Sequence, residues 1–418
     1  MPNLPLEIQA LIIHFLQDFS AFNFRGYTTS LTICALVCRA WVSPSRTALF
    51  RRFVLDDCSA QSFLRLFDTH LETLSSARIS QFDYQQDEVR KREYLEDLDS
   101  PCHTFNDVLK WRSSDGKRDL STLLAGVERM ELGYLGWDTL DRGGRRRLAE
   151  CFSSVKHLKL YGTQFPNPPT FHTFLHSFPH LSAVHLDDVV VTTAKRDQEP
   201  SDSHEDAPSR LRTIVLENFS LRDGTNTIES LIPCPSLQSF SYSYYFDVKA
   251  LKASRSTALN RLLASAGDSL EDFSVTVWRE VVEDRVGNTF CNIDLSQNPN
   301  LRRINLSIHD SSNLITFLEN LSSTRTIYST DEPHLHHLRI ERLPQVDLDD
   351  WTRLDDVLQH PYFSALREIV YEANREEEVE EVRRHLPQCE RRGILEYEKA
   401  GWLFEYQLSS VDGLKELD

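Results

Sequence analysis

Four arginines crowd behind one aspartate in residues 141–147: Asp141, then Arg142, Arg145, Arg146 and Arg147. Guanidinium forks take phosphate in bidentate fashion, so such a run could clamp a phosphorylated partner or supply a protruding arginine to a GTPase. A charged coat on an exposed helix start is the favoured reading. His334, His336 and His337 share one expected strand, but metal ligands want helical or hairpin spacing, and a solvated strand face suits these three better. Ser201 and Ser203 lie among acids in residues 193–209, where a plain inter-repeat loop is preferred over a phosphorylated docking tail. No GxGxxG, GxxxxGK[ST] or GxSxG occurs, so no phosphate cradle or nucleophile elbow is declared. No catalytic residue, metal or cofactor is expected. The eight cysteines form no CxxC and no metal-ligand spacing, and their apolar surroundings predict buried reduced thiols.

Composition narrows the classes further. The chain has 418 residues, 40% of them hydrophobic, and a formal net charge of −17. A single compact core holds roughly 100 to 200 residues, so a chain of this length is repetitive or multidomain. Nucleic-acid affinity comes largely from Lys and Arg neutralising phosphates, and the acidic balance argues against that partner. Residues 1–55 differ, with five arginines against Glu7 and Asp18 alone. No run approaches the roughly 20 apolar residues of a membrane span, and no signal-peptide pattern is present. The expectation is a soluble cytoplasmic or nuclear protein with no membrane partner.

The elements that must position any site follow from a recurring unit, apolar-x-x-apolar-x-apolar. Its copies begin at Val127, Val155, Leu181, Leu211, Leu237, Leu270, Leu301, Leu335 and Leu366, in steps of 26 to 34 residues. Four are led by Pro-x-Leu, in FPHLSAVHL, CPSLQSFSY, NPNLRRINL and EPHLHHLRI. Phe50-Phe53-Leu55 and Ile79-Phe82-Tyr84 extend the series upstream. A three-position pattern arises by chance in an apolar chain, so the repeated lead and steady step carry the inference. Helical periodicity fills the intervals at residues 62–74, 171–178, 257–264, 314–321, 351–359 and 376–386. A last strand is expected near 393–397, and GWLFEYQL from residue 401 alternates as a further edge would. Strand alternating with helix predicts an α/β fold with parallel strands. The pattern resembles a divergent leucine-rich repeat, which implies a solenoid whose strands line a horseshoe and whose helices cover its outside. The place that carries Asn or Cys in that family here holds Leu135, Thr163, Val189 and other residues without a ladder, so apolar packing is expected instead.

Strand geometry then selects a recognition face. Alternate side chains of a strand point to opposite sides, which turns the residue between the second and third apolar positions away from the helices. These are Glu131, Lys159, His185, Val215, Ser241, Ser274, Asn305, Arg339 and Val370, with Asp187, Glu217 and Arg303 among their neighbours. From this mixed ladder, Lys159, His185, Asp187, Glu217, Arg303, Asn305 and Arg339 are the expected substrate-binding residues. A merely wetted sheet face is the competing interpretation.

The N-terminal segment is written as three helices. Ile8, Leu11, Ile12, Phe15, Leu16 and Phe19 form one apolar stripe, behind Pro5 at a first-turn position. A second helix carries Leu31, Cys34, Ala35, Cys38, Trp41 and Val42, and its other side is also apolar. Ser43-Pro44 reads as the start of a third, through Leu49 toward Phe50. Leu4-Pro5-x-Glu7-Ile8, Ile12, Leu16, then Ala35-Leu36-Val37-Cys38-Arg39-x-Trp41 and Leu49-Phe50, resembles the F-box, although residues 18–29 exceed the family's usual first connection. That resemblance implies docking on a Skp-type linker protein, and through it a cullin ligase, by Leu4, Pro5, Ile8, Ile12, Leu16, Leu36, Val37 and Trp41. The expected organisation is an F-box-like domain over residues 1–55 and a leucine-rich-repeat-like solenoid over 56–418, with loops at about 85–101 and 193–209. The expected role is a substrate-recognition adaptor, monomeric within a hetero-complex, that holds an unidentified protein target. The alternative is a repeat scaffold unconnected with ubiquitin, its first helices only a cap.

Overall fold

The computed structural model describes residues 33–34, 39–56, 60, 64, 79–85, 103–137, 140–192, 210–218, 224–245, 253–278, 293–308, 311–325, 334–341, 348–373 and 375–399. The expected helices over residues 4–19 and 62–74, both expected loops beyond Gln85, and the segment from 401 lie outside them. The chain forms two compact units, one chiefly Met1–Thr163, the other Gln164–His176 with Leu181–Ser409.

In the first unit, helix α1 (Arg39–Arg51) runs without a break into strand β1 (Arg52–Asp56). Strand β2 (Gln81–Gln85) follows, then helices α2 (His103–Lys110) and α3 (Leu120–Leu124), strand β3 (Arg129–Gly133), helix α4 (Arg142–Cys151) and strand β4 (His157–Tyr161). Two expectations are corrected here. The helix does not restart at Ser43-Pro44 but passes through it, because proline's fixed φ is already helical and its main cost is one missing donor. The boundary drawn at residue 55 also falls inside β1, the strand already legible as Phe50-Phe53-Leu55.

The second unit begins with β5 (Gln164–Phe165), α5 (Pro168–His176), β6 (Ala183–Asp187), β7 (Val190–Val191), β8 (Thr213–Glu217) and α6 (Gly224–Glu229). It continues through β9 (Ser239–Tyr245), α7 (Ala253–Ala266), β10 (Asp272–Trp278), β11 (Arg303–Ser307) and α8 (Ser311–Arg325). It closes with β12 (His337–Glu341), α9 (Leu348–Val357), β13 (Glu368–Ala373), α10 (Glu376–His385), α11 (Pro387–Arg392) and β14 (Leu395–Lys399). The strands pair in chain order, β1 to β4 in the first unit and β6 with β8 to β14 in the second, while β5 and β7 pair separately. Within each unit the pairings are parallel, so strand and helix alternate as the repeat predicts.

Strands β3, β4 and β8 to β13 start the same way. The Ser80 carbonyl accepts the N–H groups of Glu128 and Arg129, the Arg212 carbonyl those of Gln238 and Ser239, and the Glu271 carbonyl those of Arg302 and Arg303, all at 2.8–3.0 Å. One carbonyl with two lone pairs thus satisfies two donors of the next repeat, which settles the register of the whole ladder. The Pro-x-Leu lead is a turn into that position: Leu237 N–H donates to the Cys234 carbonyl at 3.2 Å and Leu301 to Asn298 at 3.4 Å. Asn298 is fully buried and donates from Nδ2 to the carbonyls of Leu263 and Gly267, which ties the turn to α7 and the residue that follows it.

The core lies between the apolar strand face and the helices. Phe240 of β9, Phe273 of β10 and Phe317 of α8 stack in series with centroids 6.2 and 6.3 Å apart. Phe82 packs on Phe152 and Tyr84 on Phe105 in the first unit. Leu135, Thr163 and Val189 are buried at the place of the family's asparagine, as apolar packing requires. The residues just before them, Tyr134, Gly162 and Asp188, have φ of 50–55°, and Asn218 takes the same conformation at the end of β8. This left-handed turn aims the Tyr134 N–H at the Tyr161 carbonyl, and the Asp188 N–H at the Glu217 carbonyl.

Candidate protein-binding face

Parallel pairing lines up the middle residues of successive strands. Val54, Asp83, Glu131 and Lys159 form one row in the first unit. His185, Val215, Ser241, Ser274, Asn305, Arg339 and Val370 form the corresponding row in the second, extended by Glu396. Register-paired residues on parallel strands point to the same side, so each row is a physical line of side chains crossing the strands.

The first row closes on itself. Arg52 Nε donates to Asp83 Oδ2 at 2.6 Å, and Lys159 Nζ stands 3.8 Å from Glu131 Oε1. Gln81 also donates to Asp83. Asp83 is 1% exposed, and burial, reinforced by the adjacent Glu131 charge, pushes its carboxyl up to about 6 against the pull of Arg52. Lys159, an expected substrate-binding residue, is thereby half-committed to a neighbour.

In the second unit several expected residues are paired as well. His185 Nε2 lies 2.8 Å from Glu217 Oε2, and Asn218 Nδ2 donates to Asp187 Oδ1 at 2.8 Å. Arg303 grips Asp272 through two hydrogen bonds, and His337 Nδ1 lies 2.9 Å from Glu368 Oε2. Arg339, with only 13% of its side chain exposed, reaches Glu398 at 2.8 Å, Glu372 at 3.1 Å and Glu341 at 3.5 Å. One guanidinium serving three carboxylates leaves this end acidic.

Between these clusters the face changes character. Past the Arg303–Asp272 pair at the strand starts, the outward side chains of β9, β10 and β11 are Ser241 and Ser243, Ser274 and Thr276, Asn305 and Ser307. Among the described residues, no side-chain hydrogen bond joins Ser241, Ser274, Thr276, Asn305 or Ser307 to a partner. Asn305 is therefore the one residue of the expected set left open to a visitor. Its hydroxyl neighbours were legible as the small-residue stretch of the same row.

Of the other sequence candidates, Asp141, Arg145 and Arg147 are taken up by the fold, while Arg142 and Arg146 stay exposed. Asp141 caps α4 through the Gly144 N–H and pairs with Lys110. Arg145 donates to the Leu140 and Trp137 carbonyls and lies over the Trp137 ring at 5.1 Å, while Arg147 binds Asp119, Glu150 and the Leu109 carbonyl. These guanidiniums hold loops and α3 in place. Gly143-Gly144 lets α4 approach α2, since a Cβ on Gly144 would stand 2.1 Å from Asn106 Oδ1. Cys151, Cys234 and Cys389 are free and buried, and burial pushes their thiols up to about 11, 12 and 12. Such thiols stay protonated and poorly nucleophilic. Among the described residues no group of three His, Cys, Asp or Glu could hold a metal ion, and no helix is long and apolar enough to cross a membrane. Of the F-box-like set, Trp41 is half-buried on α1, and Leu4, Pro5, Ile8, Ile12, Leu16, Leu36 and Val37 lie outside the described residues. No family model matches this sequence, and no curated protein matches it.

Proposed function

We propose that the chain is a substrate-recognition adaptor of a Skp-cullin-F-box ubiquitin ligase, taking its protein target on the polar strand face of the repeat array. It carries no chemistry of its own. Its contribution is geometric: the N-terminal motif binds the ligase core and the repeats hold the target within reach of the conjugating enzyme. The reading is supported by the continuity of α1, which holds the Arg39-x-Trp41 end of the F-box-like motif, with β1, the first strand of the array. A docking motif joined to a binding array with no linker suits an adaptor that must fix a distance. The apolar side chains of Leu4, Pro5, Ile8 and Trp41 would each contribute roughly 1.5 to 3 kcal/mol when covered by a partner.

The test is co-purification with a Skp-type linker protein. Wild type is expected to capture it, and the Leu4→Ala/Pro5→Ala/Trp41→Ala variant to lose at least about tenfold of that affinity while its circular dichroism melt is unchanged. Equally poor capture by both folded proteins overturns the proposal and leaves a repeat scaffold.

A further inference from the structure

The polar face of the second unit has a floor and two walls. From β8 to β11 the middle row is short: Val215, Ser241, Ser274, Asn305. On one side stand Asp187 and the His185–Glu217 pair, and on the other Arg339 with Glu341 and Glu372. At strand spacings of about 4.8 Å, β8 to β12 measures roughly 19 Å, the length of about six extended residues. Short side chains between long ones make a trough that runs across the strands.

Two independent features describe what would lie in it. The row at the strand ends reads Asp187, Glu217, Ser243, Thr276, Ser307, Glu341, Glu372, Glu398, which is acids and hydroxyls without one cation. The arginines of this face are already paired, Arg303 with Asp272 and Arg339 with three carboxylates. A phosphorylated or acidic segment would meet like charge on both walls. Separately, among the described residues no side-chain hydrogen bond joins Ser274, Asn305 or Ser307 to a partner, which leaves their donors and acceptors to a visiting backbone.

We infer that this trough binds an extended, unphosphorylated protein segment rich in Lys or Arg and in small polar residues. Its basic side chains pair with Glu217 and Glu341 at the walls, and its backbone and hydroxyls bond to Ser274, Asn305 and Ser307 on the floor. The inference rests on the adaptor reading only in naming what the face is for; the binding itself stands without a ligase.

The probe is a fluorescein-labelled peptide of alternating lysine and serine, twelve residues long, against its alternating glutamate and serine counterpart, read by fluorescence anisotropy with the full chain. The lysine peptide is expected to bind and to weaken steeply as salt rises. Ser274→Lys with Asn305→Lys puts two cations on the floor and is expected to weaken it about tenfold or more. Ser274→Ala with Asn305→Ala, which adds no charge, is expected to weaken it only about two- to threefold. Equal binding to wild type and the double-lysine variant would mean general attraction to an acidic protein and overturns the inference, as does tighter binding of the glutamate peptide. Linker capture is a separate measurement: its loss with peptide binding intact defeats the adaptor reading alone.

Discussion

The two units solve the same problem in opposite ways. Parallel strands in register place a line of polar side chains on one face, and any charge there meets its neighbours at one strand spacing. In the first unit the line is settled internally, as Arg52 answers Asp83 and Lys159 answers Glu131. In the second, charge is gathered into clusters around His185 and Arg339, and the strands between them, past the Arg303–Asp272 pair at their starts, carry hydroxyls and one amide. A settled ladder spends its hydrogen-bonding capacity on the fold. An unsettled one keeps that capacity for another molecule.

The sharpest way to break the comparison is Arg339→Met. Arg339 and Glu372 are both largely buried, with side chains 13% and 9% exposed, so removing the cation strands a carboxylate away from water. Breaking a buried pair this way costs about 3 kcal/mol or more. Urea denaturation at pH 7 is expected to show that loss.

A smaller effect separates the first ladder. Asp83 holds its proton up to about 6 in the fold, whereas the unfolded chain releases it near 3.8. Between those values the native state binds more protons, so this group's contribution to stability falls as pH rises from 4 to 6 and is flat above 7. The size is at most about 3 kcal/mol, the pull of Arg52 already included. Asp83→Asn cannot ionise, and its stability relative to wild type is expected to rise across that window. A difference independent of pH would show that Arg52 fully neutralises the carboxylate.

Much of this architecture was legible because the repeat is written in apolar spacing. Every triplet from Phe50-Phe53-Leu55 to Leu366-Ile369-Tyr371 lies in or leads a strand, the expected helices at 257–264 and 314–321 fall within α7 and α8, and the one at 376–386 overruns α10 only by Leu386. The short α2, α3 and α11 escaped, since a helix of five to eight residues shows hardly two turns of periodicity. The left-handed turn also escaped, although Gly162, Asp188 and Asn218 are residue types that tolerate it. Tyr134 hid the pattern: its conformation is held by tertiary bonds, the N–H to Tyr161 and the hydroxyl to the Tyr161 hydroxyl at 2.7 Å. The recognition face was legible as a row but not by its contents. Charged residues such as Arg303 and Arg339 drew attention because charge suggests binding, yet in a parallel ladder charges find each other first.

That reversal yields the smallest expected effect and the most discriminating one. If Ser241, Ser274 and Asn305 are uncommitted, replacing all three by alanine removes no bond from the fold. Surface substitutions of this kind stay within about 0.5 kcal/mol each. Serine to alanine on a strand also changes neither backbone pairing nor the apolar side. The triple variant is therefore expected to melt within a few degrees of wild type while Arg339→Met does not. A loss of several kcal/mol from the alanines would mean that the hydroxyls bond within the chain, and the contrast between a settled and an open ladder would disappear, because both rows would then be holding the fold together.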